Sequence, residues 1–188
     1  MKQQPFKVPF HANDLRFAKA LSSPYLTERV RELCGKFGFN KTIRLKMVES
    51  FKPVSLALNI FIPNWVIGLG MGDEILILNP KRWNNNITME QLILHESVHI
   101  ILAEYCNASI PVWLNEGLAT FYAGQDCGFP GDDFNLLHLD YSTDNFYAKA
   151  KALVEKAMDD FGEAFLLMEL KNWNDQCTIM KKLLKDCG

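Results

Sequence analysis

The strongest constraint on this chain is an apolar helix that carries polar residues in its middle. Residues 91 to 105, QLILHESVHIILAEY, set His95, Glu96 and His99 among Leu92, Ile93, Val98, Ile100, Ile101 and Leu102. Thr88, with Gln91 three residues on, spells a capping box just before the apolar run and fixes where the helix begins. Positions i and i+4 of a helix lie roughly 40° apart and one turn along. His95 and His99 therefore aim both imidazoles at one point, and neutral imidazole is a good zinc ligand. Glu96 is turned about 100° from His95. It is poorly placed as a third ligand and well placed to touch a water held on the metal. Buried imidazoles and carboxylates need partners, and a metal ion supplies one.

The third donor is Glu116, seventeen residues after His99. From His99 to Cys106 the helix travels about 10 Å away from the site. Asn107, Ala108 and Ser109 followed by Pro111 read as a turn and a new helix start. From Pro111 to Glu116 that helix climbs back about 7–8 Å. Packed antiparallel, the two helices return Glu116 to the level of the His pair, and the small Gly117 and Ala119 allow close helix approach. Two His and one Glu, with room for a water, form the donor set of known catalytic zinc sites.

These residues resemble a known family. HESVH followed by NEGLA is similar to the gluzincin zinc peptidases, and WLNEGLATFY is closest in wording to their aminopeptidase branch and to small gluzincins. The likeness covers roughly residues 65 to 170. It implies a thermolysin-like zincin domain in which His95, His99 and Glu116 bind Zn2+ and Glu96 is the general base. NFYAKAKALVEKA at 145–157 resembles the helix that carries the transition-state tyrosine of the aminopeptidase branch, which puts Tyr147 in that role. By the same likeness the strand at 66–70, with Gly68, Leu69 and Gly70, binds the substrate backbone. The G-x-M-E-N strand of the aminopeptidases is replaced here by Gly68-Leu69-Gly70-Met71-Gly72-Asp73-Glu74, without the triplet whose Glu holds a free amine. An endopeptidase acting on peptide or protein substrates is therefore expected. An aminopeptidase, and a zincin-like interaction module that holds zinc without cutting, are the competing readings.

The surrounding chain reads as one α+β domain of 188 residues, 48% hydrophobic. A lobe over 1–87 would hold helices and a small mixed sheet packed over the active-site helix; a mostly helical lobe would cover 88–188. Residues 1–13 read as an extended arm with an ordinary His11. Residues 14–21 and 25–38 read as helices, 42–48 as a half-buried strand, and 54–62 as a second β-prone piece. Residues 65–70 and 74–78 read as a hairpin turning at Gly72-Asp73. Gly68 and Gly70 either admit another backbone or merely bend the strand. Past a Gly124 cap, 125–143 is a long irregular stretch suited to a cleft wall. It holds His138 and Tyr141, which with Tyr122 are rivals to Tyr147 for oxyanion duty. Helices follow from Asp144 to Phe161, over 163–171 and over 174–186.

Net charge is −2, and no Lys/Arg cluster points to nucleic acid. No apolar run reaches the ~18 residues of a membrane span, and the N-terminus lacks a signal peptide's apolar core. No membrane partner and a cytoplasmic location are therefore expected. The five Cys are odd in number and widely spaced, as in reduced structural thiols. A thiol that blocks the zinc, Cys127 or Cys187, is the functional alternative.

Overall fold

The computed structural model describes residues 19–83, 86–131, 139–173, 177 and 181. The described elements are α1 (Pro24–Phe37), β1 (Arg44–Val48), α2 (Lys52–Leu58), β2 (Gly68–Met71), β3 (Glu74–Leu78), α3 (Met89–Tyr105), α4 (Val112–Tyr122), α5 (Phe146–Phe161) and α6 (Glu163–Lys171). The architecture is α+β. Residues 19–21 are helical, while the arm with His11, His138, Cys187 and most of the expected 174–186 helix lie outside the described residues.

The sheet is small and mixed, in the order β1-β3-β2. β1 runs parallel to β3, and β2 pairs antiparallel with it through Gly68↔Ile77, Leu69↔Leu76 and Gly70↔Ile75. The hairpin turn needs Gly72, whose φ is +61°. β2 is left at the edge. Leu78 N–H donates to Ile67 C=O at 2.8 Å. Antiparallel alternation then turns the N–H and C=O of Gly68 and Gly70 away from β3, toward the open edge.

α3 is the axis of the molecule. Its capping box is made in full: Gln91 N–H donates to Thr88 Oγ1 and Thr88 N–H to Gln91 Oε1, both at 3.1 Å. Eleven of its residues are buried, including His95 and Glu96, because β2, α1 and α4 pack around it. α4 begins after Pro111 and ends at Ala123, with Gly124 following at φ +62°. Gly117 does let a helix approach closely, and that helix is α5: a Cβ there would lie 2.4 Å from Ala150 O.

One expectation is corrected. The β-prone piece at 54–62 is not a strand; residues 52–58 form α2 and the chain is irregular to Ile67. Pro53 suits a first helical turn. Asn59, in the left-handed region at φ 52°, closes the helix, and Ile60 N–H donates back to Ser55 C=O at 3.1 Å. Local capping outweighs the β-branched side chains.

Candidate metal centre and its cleft

His95 Nε2 lies 3.2 Å from Glu116 Oε2, and His99 Nε2 lies 3.6 Å from the same oxygen. The ligand atoms of the three residues all fall within 4.8 Å of one another. Around one ion, bonds of about 2.0–2.1 Å at tetrahedral angles would separate ligands by about 3.3 Å. The two separations from Glu116 are close to that spacing, and this buried His-His-Glu group is able to bind one ion. No cysteine joins it among the described residues; Cys127 lines the cleft without belonging to the donor group.

Neighbours hold the donors in place. Asn115 Oδ1 accepts from His99 Nδ1 at 3.1 Å, which leaves the Nε2 lone pair facing the centre. Tyr141 OH donates to Glu116 Oε1 at 2.5 Å, so Oε2 alone faces the imidazoles. Among the described residues His95 has no such support: its Nδ1 and Thr120 Oγ1, one turn beyond Glu116, are buried atoms without a hydrogen-bond partner there. Burial alone would raise the Glu116 carboxyl, but the hydrogen bond from His95 and the two nearby imidazoles outweigh it and hold the group below its ordinary value.

Glu96 stands apart from the triad on the strand side. Gly70 N–H donates to its Oε2 at 2.8 Å. Burial pushes its carboxyl up to about 7; His99 pulls down, Glu116 pushes up, and the Gly70 bond pulls down. Gly68 and Gly70 have a purpose that neither sequence reading foresaw. A Cβ on Gly68 would lie 2.6 Å from Glu96 Oε1, and one on Gly70 would lie 3.0 Å from Glu96 O. Their missing side chains let β2 rest on the carboxylate of α3.

Above these groups opens a cleft of about 790 Å³. β2 and residues 65–67 form one wall; Tyr141, Phe146 and Tyr147 form the other. Tyr147 makes no hydrogen bond through its hydroxyl among the described residues, and its ring centroid lies 6.4 Å from that of His95. Burial first, and then Glu116 and Glu96, raise the phenols of Tyr141 and Tyr147, so both stay protonated as donors. Tyr122 does not reach the cleft, because its hydroxyl donates to Glu163 on α6. Asn115 and the Tyr141 contact escaped the sequence reading. Only the place of Asn115, a polar residue beside Glu116 in an apolar helix, could have pointed to it.

No protein-family model matches this chain, and no curated protein matches it in sequence.

Proposed function

We propose that the chain is a zinc-dependent peptidase with a thermolysin-like zincin domain, and that it acts as an endopeptidase. The observation that carries this reading is the convergence of His95, His99 and Glu116 below an edge strand, with a fourth buried side chain, Glu96, beside them and not among them. Two nitrogens and one carboxylate oxygen suit zinc. Bound there, zinc would polarise the scissile carbonyl and lower the pKa of water.

The chain's own residues supply the rest. Glu96 takes the proton of the attacking water and passes it to the leaving amine, a task for which a carboxyl near neutrality is well matched. Tyr147 offers its unengaged hydroxyl to the oxyanion. The substrate backbone pairs with the open edge of β2, where Gly68 N–H and C=O face outward. Gly70 N–H is held by Glu96 and offers the substrate nothing while that bond lasts.

The lining favours an endopeptidase over an aminopeptidase. Glu96 and Glu116 are its only carboxylates among the described residues. Asp73 accepts from Arg44 at 2.7 Å at the hairpin turn, and Glu74 lies 4.0 Å from the same Arg. Neither is left in the cleft to hold a substrate's free amine.

The test is cleavage of N-terminally blocked and unblocked peptides by zinc-loaded protein, with Glu96→Gln as control. Blocked peptides should be cut, and the control should lose about 10²–10⁴-fold in kcat while keeping zinc. Cleavage of unblocked peptides alone would make it an aminopeptidase; normal cleavage by the control would remove Glu96 from the mechanism.

A further inference from the structure

The segment between β1 and β2 presents apolar side chains that no part of the peptidase reading uses. α2 buries none of its residues, although it carries Val54, Leu56, Ala57 and Leu58. Positions 56 to 61, Leu-Ala-Leu-Asn-Ile-Phe, are all exposed. Leu56 is 83% exposed and Phe61 87%, so these side chains project from the surface and do not rest on it. Trp65, just beyond, is 51% exposed. Single exposed apolar residues are ordinary; a contiguous run marks an interaction surface. The backbone is tied in this shape by the Asn59 cap and by Ser55 Oγ donating to Ile60 C=O at 2.5 Å.

Charge narrows the partner. From Ser50 to Gly72 the only charged side chain is Lys52. At either end Glu49 pairs with Arg82 at 3.7 Å, while Asp73 and Glu74 share Arg44. Lys46 and Lys52 are exposed, and neither makes an ion pair among the described residues. Lys46 borders α2, and Lys46, Lys52, Arg44 and Arg82 set against Glu49, Asp73 and Glu74 leave one excess positive charge here on a chain of net charge −2.

We propose that this face docks on an anionic lipid surface. Leu56, Ile60, Phe61 and Trp65 enter the headgroup region, and Lys46 and Lys52 meet acidic headgroups. Projecting aliphatic and aromatic side chains backed by unpaired cations suit a lipid interface, where indole is favoured. The contact needs no membrane span, so it revises an expectation that rested on the absence of one. Trp65 also lines the cleft, and docking therefore brings the cleft mouth beside the membrane.

The test is flotation of the full chain with phosphatidylcholine vesicles, with and without phosphatidylserine. Binding should require phosphatidylserine. It should fall about tenfold or more in Leu56→Ser/Phe61→Ser, and by a similar factor in Lys46→Gln/Lys52→Gln at low salt. All four side chains are exposed, and circular dichroism checks that the variants fold. No binding to either vesicle, or binding that the Leu56/Phe61 pair leaves unchanged, would overturn the proposal. A concentration-dependent dimer that the same pair dissolves, without vesicle binding, would overturn it in favour of a second copy. Vesicle binding is read without catalysis, so it stands or falls separately from the peptidase reading.

Discussion

On the floor of the cleft, His95, His99 and Glu116 ride on two packed helices, and Asn115 and Tyr141 hold two of the three by hydrogen bonds. The walls are built otherwise. Trp65 stands in an irregular stretch, Tyr141 in another, and Tyr147 in the first turn of α5, with Trp65 and Tyr141 about half exposed. Helical spacing makes the floor rigid and local, whereas the walls exist only because segments far apart in the chain meet. Glu96 joins the two regions, rooted in the floor and bonded to the wall at Gly70.

The sharpest way to break that division is Gly68→Ala. Its methyl group would collide with Glu96 and Leu92, neither of them one of the three candidate metal donors. Turnover should fall by about 10²-fold through misplacement of the proposed base, with zinc content unchanged; lost zinc would mean that wall and floor are one unit. Next comes pH. In the metal-free chain Glu96 titrates near 7 rather than at its ordinary 4.5. The folded chain keeps a proton that the unfolded chain has lost, so stability should fall as pH rises from about 4.5 to 7, by on the order of 3 kcal/mol. Glu116 is shifted the other way, and its contribution is lost only at lower pH, as it falls through the folded pKa. Urea unfolding across this range should show the slope, and Glu96→Gln should flatten it. A smaller effect, on the floor alone, is expected from Asn115→Ala. Freed from its partner, His99 should bind zinc about 10–100-fold more weakly, measured by chelator competition, with little change in KM.

The floor was legible because its geometry follows from spacing within and between two helices. The capping box, the His pair and the return of Glu116 all depend on short stretches whose burial pattern and turn residues agree. The piece at 54–62 reads as β-prone because Val54 and Leu56 suit a strand locally, and only the closure at Asn59 decides for a helix over 52–58. The purpose of Gly68 could not be read, since the carboxylate it admits lies 28 positions later and reaches it only through the docking of β2 on α3. The contact of Tyr141 with Glu116 was hidden for the same reason: nothing in an irregular stretch has a period that fixes where a hydroxyl points.

Zinc titration of metal-free protein against a chromophoric chelator, side by side with Glu116→Ala, tests the central claim most directly. One tightly held ion per chain, released when Glu116 is removed, is the predicted result. Uptake that is absent from the parent chain, or unchanged in Glu116→Ala, would contradict it.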